Sequence, residues 1–386
     1  MGVGSRDETA AENGLTHFLE HMAFKGTSRR TAIDIAREID QMGGACNAFT
    51  TKEVTCFHAR VLEEHLPRAV ELLSDLMLNP VYRQEDVERE RQVILEEIYS
   101  QDDDPEESVQ VEFARHWWRD CAFGRPILGE ADSVAGFSPE HLWHYRQAMY
   151  RPERMVVAAV GRLHHEALVD LVGPLWENFT NGVRPRLREA VTTHPGIYLF
   201  PRDLEQVHVC LGAPGLAAAD PRRYGATLLQ LILGGNMSSR LFQVVREQLG
   251  LAYAIYSYMS FFSDHGLLGI CAGVSPKNLS PLLTAVNQEL QRLKKQPVSA
   301  AELRAAQDYL KASIYLHAED LDQRMMRLAK NELYFQDYIS LEELINGLMR
   351  VTAEEIHELA HTFFNPSQWG LGLLGPVEEK GLSLEF

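Results

Sequence analysis

Two histidines one helical turn apart, with a glutamate between them, are the residues of this sequence best suited to do chemistry. The segment GLTHFLEHMAFKG carries Leu15, Phe18, Leu19 and Met22 at positions i, i+3, i+4 and i+7, which predicts an amphipathic helix. At about 100° per residue, His17, Glu20 and His21 fall within an arc of roughly 100° on the opposite side. Two imidazoles so placed can converge on one metal ion. Glu20 then lies near enough to accept a proton from water activated at that ion. The same pattern also fits a polar helix face with two incidental histidines, and a third protein ligand decides between the two.

A third ligand is available downstream in QEDVERERQVILEEIYSQDDDPEE. Val87, Ile94 and Ile98 define the buried stripe of that helix, and Glu90 and Glu97, two turns apart, both lie within about 80° of its centre. Glu96 points nearly the opposite way. A carboxylate beside an apolar face needs a partner, because burying an unpaired charge is costly. Glu97 is therefore the better ligand, with Glu90 as an accessory carboxylate behind the site. The alternative pairs these glutamates with Arg89 or Arg91.

A rival pattern stands near the C-terminus, where residues 357–361 spell HELAH. It matches a forward zinc motif, with His357, Glu358 and His361 on one helix. The same helix has a counterpart earlier in the chain, in which His357 and His361 align with Trp143 and Gln147. A scaffold helix is thus expected there whatever its histidines do. His58, His141, His144, His164 and His165 are read as strand, scaffold or surface residues.

The elements that must position these residues come in two copies. SPEHLWHYRQAMYRPERMVVAAVG (138–161) and TAEEIHELAHTFFNPSQWGLGLLG (352–375) align at an offset of 214, each reading as a capped helix, a Pro turn and an apolar strand. AREIDQMGG parallels VREQLGLAY at an offset of 209, and NPVYRQEDVERERQ parallels QPVSAAELRAAQ at 217. The expected fold is α+β: two homologous repeats, each a mostly antiparallel sheet packed with helices. In the first copy, helices are predicted near 13–25, 30–42, 62–78, 84–100, 105–119 and 138–149, and strands near 44–61 and 154–162. The expected domains are residues 1–183, holding the histidine–glutamate constellation, and 196–386, a degenerate copy, with 184–195 as linker. At offsets of 208 or 209, the His17–His21 stretch falls on a segment without histidine, and at 217 Glu97 falls on Ile314.

Lys plus Arg number 37 against 54 Asp plus Glu, a formal charge of −17, so neither nucleic acid nor an anionic membrane surface is an expected partner. No apolar run is long enough to span a bilayer. The five cysteines are scattered without a CxxC pair, which argues for a reducing compartment, expected to be the cytoplasm. The acidic run Asp102–Asp104 with Glu106 and Glu107 is a solvated loop or, beside a cleft, a feature that favours basic residues in a bound peptide.

HFLEH, followed by 75 residues and then Glu97, resembles the inverted zinc motif of the insulinase/pitrilysin metallopeptidases, the inverzincins. ENGLTHFLEHMAFKGT, GGACNAFTTKE, LPRAVELLSDLMLNP, ERERQVILEEI, GRPILG, YRPERMVVAAVG and GGNMSSRLFQVVREQLGLAYAIYSY are similar to the two-repeat subfamily that includes the mitochondrial processing peptidase, and run in the family's order. The resemblance implies one Zn²⁺ per chain held by His17, His21 and Glu97, with Glu20 as general base. It implies that Asn47, with Ala48 and Phe49 of the same edge strand, binds an extended peptide by strand addition. On sequence alone Asn47 reads equally as a turn or strand-end residue. Arg246 and Tyr253 match the family's arginine–tyrosine pair that contacts substrate and the tetrahedral intermediate; without the match they read as a salt-bridged arginine and a strand tyrosine.

The activity this implies is zinc-dependent hydrolysis of peptide bonds in extended, unfolded peptides, in a homodimer enclosing a chamber. The alternative is a catalytically silent structural or binding subunit, since core proteins of membrane complexes belong to the same group. The resemblance also implies about 30 further residues, a first strand and part of a second, ahead of the segment that begins here, so the first sheet is expected to lack an edge strand.

Overall fold

Most of the periodic segments fold as helices where their apolar spacing places them. The computed structural model describes residues 1–179 and 188–378. Helices α1 (Leu15–Ala23) and α2 (Ala32–Met42) lead into an antiparallel hairpin of β1 (Ala45–Thr50) and β2 (Thr55–Arg60), with Asn47 opposite His58. Then come α3 (Leu66–Leu78), α4 (Gln84–Asp103), α5 (Pro105–Trp117), α6 (Ala131–Ala135), α7 (Pro139–Met149) and α8 (His165–Trp176). The second half runs β3 (Gly196–Pro201), β4 (Val207–Gly215), α9 (Arg223–Gln230), β5 (Ala252–Phe261), β6 (Gly266–Val274), α10 (Leu279–Lys295) and α11 (Ala300–His317). It ends with α12 (Leu321–Phe335), α13 (Leu341–Arg350), α14 (Ala353–Phe363) and β7 (Gly370–Gly375). No helix among the described residues is long and apolar enough to cross a membrane.

The repeat is visible in the elements. Helices α7 and α14 start and stop 214 residues apart (139 to 353, 149 to 363), and Ser138 and Thr352 each close a capping box at the N-terminus. The second sheet has the order β3-β7-β4-β6-β5, antiparallel except for the β3–β7 pair. One expectation fails: the segment near 154–162, the counterpart of β7, is not a strand. An apolar run becomes a strand only when a neighbour takes its backbone bonds, and residues 155–160 have no such neighbour among the described residues.

The chain divides into two compact units, but not at a single point. The main change falls after Ala190, inside the expected linker, of which 184–187 lie outside the described residues. In addition, Asp102–Asp120, containing α5, belongs to the second unit, and Asp320–Leu333, most of α12, to the first. These two helices are themselves counterparts, starting 216 residues apart (105 to 321). The reason for the first assignment is local packing. Phe113 of α5 lies so close to the second sheet that a Cβ at Gly212 or Gly370 would stand 2.5 or 2.8 Å from its ring. In the first unit, Cys56 Sγ of β2 lies 3.8 Å from Met326 Sδ of α12.

The core of the first unit joins α1, α4 and α7 through Phe18, Leu19, Met22, Val87, Ile94 and Leu142, all fully or almost fully buried. This places the polar faces of α1 and α4 side by side, and burial of these side chains drives the pairing at about 1.5–3 kcal/mol each. In the second unit, one face of the sheet packs on α9, α10, α11 and α14.

Candidate metal centre

Helix α1 starts at a defined point. Gly14 precedes it with φ 101°, a left-handed conformation, and a Cβ there would lie 2.9 Å from both Gly129 Cα and the Leu128 carbonyl. The buried Glu8 carboxylate caps the helix: Oε2 accepts from Gly14 N (2.9 Å) and Asn13 Nδ2 (3.1 Å), and Oε1 from Thr16 N (2.7 Å). Burial pushes the Glu8 carboxyl up to about 7, against the downward pull of these hydrogen bonds.

One turn into the helix, His17 and His21 stand with ring centroids 4.5 Å apart. Glu97 of α4 reaches both, its Oε2 lying 3.7 Å from His17 Nε2 and 3.5 Å from His21 Nε2. An ion with tetrahedral bonds of about 2.0–2.1 Å spaces its ligands roughly 3.3 Å apart, and both Glu97 distances lie close to that spacing. Among the described residues these form the only group of three or more His, Cys, Asp or Glu with ligand atoms all within 4.8 Å of one another. Burial, and then the nearby His21, lower His17 to about 3, so His17 is neutral and its lone pair free at neutral pH.

Behind this cluster, the Glu90 carboxylate accepts from His21 Nδ1 at 2.8 Å and pairs with Lys25 Nζ at 2.5 Å. Burial pushes the Glu90 carboxyl up, but the bonds from His21 and Lys25 outweigh it and hold the group below its ordinary value. With Nδ1–H committed to Glu90, the His21 tautomer is fixed and Nε2 faces Glu97. Glu20 is buried beside the cluster and accepts a hydrogen bond from Thr50 Oγ1 of β1. Burial raises its carboxyl, Glu97 adding to the effect, while Thr50 and His21 pull it down. A carboxyl raised in this way is a better proton acceptor than a free glutamate.

The profile of the insulinase family (peptidase family M16) matches residues 1–131, and that of the peptidase M16 inactive domain matches residues 136–310. An uncharacterized zinc protease of Streptomyces coelicolor is 40% identical over 391 residues, covering 99% of this chain and 84% of the relative. One of Bacillus subtilis is 36% identical over 376 residues, covering 97% and 91%. The chain belongs to the insulinase family, peptidase family M16. The crystal structure of a protease from Helicobacter pylori superposes with a TM-score of 0.92 at 21% identity, covering 97% of this chain and 92% of that one. A chain of complex III2 from Candida albicans does so with a TM-score of 0.84 at 17% identity, covering 99% and 91%. The α+β fold is thus that of family M16, and the Streptomyces coelicolor and Bacillus subtilis relatives are named as zinc proteases.

The remaining residues singled out in the sequence separate into two groups. Asn47 is exposed on β1, its Oδ1 accepting from Ala48 N, and β1 pairs only with β2 among the described residues, so its outer edge is open. In the second unit Arg246 stacks over the Tyr253 ring, with Cζ 4.9 Å from the centroid, and over Phe242 at 4.8 Å. Tyr253 itself is 82% exposed.

The HELAH pair behaves as scaffold: His357 and His361 stack at 4.7 Å, but His357 Nε2 donates to the Lys294 carbonyl (2.8 Å). The acidic run is partly structural. Asp104 caps α5, accepting from Glu106 N and Glu107 N, and Glu106 Oε1 accepts from Tyr256 OH (2.8 Å). Sequence reasoning missed Lys25, Thr50 and Glu8. Lys25 was findable, four residues after His21 and so on the same face, whereas Thr50 and Glu8 reach α1 only through tertiary structure.

Proposed function

We propose that this protein is a zinc-dependent metalloendopeptidase acting on extended, unfolded peptides. The observation that carries the reading is the convergence of His17 Nε2, His21 Nε2 and a Glu97 oxygen, with Glu20 buried beside them. Bound there, zinc would supply Lewis acidity towards the scissile carbonyl and the attacking water. Glu20 accepts the water's proton and returns it to the leaving amine nitrogen. Thr50 holds the Glu20 carboxylate in place, and Glu90 with Lys25 orients His21. Asn47, Ala48 and Phe49 take the substrate backbone along the open edge of β1. Arg246 binds a peptide carbonyl or terminus, and the exposed Tyr253 hydroxyl donates to the developing oxyanion.

With all these residues on one chain, a homodimer enclosing a chamber needs no second kind of subunit. The charge of −17 favours basic peptides, and five free cysteines accord with a cytoplasmic setting. The second reading, a silent subunit, draws support from the shared fold of the complex III2 chain. An unstructured peptide incubated with the zinc-loaded protein separates them. Cleavage that a chelator abolishes, and that Glu20→Gln reduces by about 10²–10⁴-fold with zinc retained, supports the peptidase. A folded, zinc-loaded protein that cleaves none of a library of unstructured peptides supports the silent subunit.

A further inference from the structure

Lys52 stands just past the end of β1, after Thr50 and Thr51, in the turn that leads into β2. A lysine in a turn is ordinarily solvated at its charged end, but here Nζ donates to the carbonyl of Arg125. Burial lowers the ammonium to about 8, against the upward pull of the Glu8 carboxylate that faces it. Arg125 completes the link from the other side, its Nη2 donating to the Glu8 carbonyl. The next carbonyl, that of Pro126, accepts from Asn13 Nδ2 at 2.9 Å. Residues 125 and 126 thus hold Lys52 on one side and residues 8 and 13 on the other.

The segment leading to Glu8 also meets the turn of Lys52 through its backbone. Ser5 N donates to the Thr51 carbonyl (3.1 Å) and Arg6 N to the Lys52 carbonyl (2.8 Å). A Cβ at Gly4 would stand 2.4 Å from the Thr51 carbonyl oxygen and 2.6 Å from Glu53 N, so the approach needs glycine. The Glu8 carboxylate then holds Gly14 N and Thr16 N at the start of α1. One carboxylate and one ammonium, meeting at one loop, therefore stand behind the two elements that carry Glu20 and Thr50. Burying such a pair gains little stability over apolar residues of the same volume, whereas removing one partner leaves the other charge uncompensated. What the pair adds is one allowed arrangement of α1 and β1.

We propose that Glu8 and Lys52 are a positioning pair: they fix the start of α1 and the end of β1 to the same loop, and so keep Thr50 Oγ1 on the Glu20 carboxylate. Neither touches the reacting atoms, and the proposal rests on the reading of Glu20 as general base. The metal ligands are held by other means, α1 and α4 being fixed through Phe18, Leu19, Met22, Val87 and Ile94. Loss of the Lys52 ammonium therefore slows the chemical step without releasing zinc.

The test uses the full zinc-loaded chain and an unstructured peptide. Lys52→Met keeps the stem and removes the ammonium. Its kcat should fall roughly 10–100-fold, with KM within about threefold of wild type and zinc affinity unchanged by chelator competition. Lys52→Arg keeps the charge and the donors and should recover most of the loss. Glu8→Gln should lower kcat by a similar factor. The double variant should lose no more than about threefold beyond either single one, because both remove the same constraint. If Glu8→Gln does not fold, the two Lys52 variants decide. Amide exchange across residues 46–51 should quicken roughly tenfold in Lys52→Met, a readout that needs no cleavage. Wild-type kcat or unchanged exchange in Lys52→Met, losses that multiply in the double variant, or no recovery with Lys52→Arg overturns the pair. A zinc-loaded wild type that cleaves nothing overturns the peptidase reading instead, and exchange alone then decides whether the pair holds β1.

Discussion

Glu90 is the most informative side chain to change, because it is not one of the three proposed ligands and yet holds His21, which is, through Nδ1. Its buried carboxylate accepts from two donors, His21 Nδ1 at 2.8 Å and Lys25 Nζ at 2.5 Å. Glu90→Gln keeps the shape but leaves one acceptor oxygen for the two donors. If that oxygen faces His21, the amide NH₂ meets the Lys25 ammonium; if it faces Lys25, the NH₂ meets His21 Nδ1–H. One charge-assisted hydrogen bond is lost in either case, worth about 1.5–3 kcal/mol. Loss of such a partner behind a metal ligand costs roughly 10–100-fold in metal affinity, which is about 1.4–2.7 kcal/mol and agrees with the first figure. Zinc affinity measured by competition with a chromophoric chelator should fall by that factor, and the thermal midpoint of the zinc-free protein, which already makes both bonds, should fall by a few degrees. At saturating zinc, peptide cleavage should return to near the wild-type rate. Unchanged affinity would refute the orienting role, and cleavage lost even at saturating zinc would make Glu90 part of the chemistry instead.

Other expectations follow from the same geometry. Lys25→Met removes the outer member of the relay; since Lys25 is 35% exposed at its side chain, the loss of zinc affinity should be below tenfold by the same chelator titration. Gly14→Ala forces a Cβ into backbone contact at a left-handed position and should lower stability by about 1–3 kcal/mol in urea unfolding. A variant as stable as wild type would show that the start of α1 can shift. The fully buried Asp75 carboxylate accepts from Thr27, Arg29, Arg30 and Asn79, and these bonds outweigh the upward push of burial to lower its pKa. Its contribution is therefore present above its unfolded value of about 3.9 and is lost as pH falls through the lower folded value. Asp75→Asn should cost about 3–5 kcal/mol at neutral pH and flatten stability against pH below about 4, as read by denaturant titration across pH. A variant with the wild-type pH profile would remove the argument.

What could be read in the sequence was what depends on short range. Leu15, Phe18, Leu19 and Met22 gave α1 its buried face, so the opposite face with His17 and His21 followed from helical periodicity, and Val87, Ile94 and Ile98 gave α4 its own, with Glu97 at its border. The meeting of Glu97 with the two histidines was implied by the family resemblance, whereas the correspondence of α7 with α14 was legible from the repeat. What depends on neighbours distant in sequence was not. Residues 154–162 have the apolar pattern of a strand but no ladder, because pattern specifies a face and not a partner. The assignment of α5 to the second unit rests on Phe113 fitting over Gly212 and Gly370, which no local rule reveals. The bonds of Thr50 to Glu20 and of Glu8 to the start of α1 likewise span separate elements.

The central claim is that the metal site is the inverted motif of α1 and α4. Its most direct test is the metal content of the purified chain, wild type beside Glu97→Gln and His361→Ala. The account predicts about one zinc per chain in the wild type and in His361→Ala, and loss of it in Glu97→Gln. Zinc kept by Glu97→Gln and lost by His361→Ala, or no zinc bound by a folded wild-type chain supplied with the metal, would contradict it.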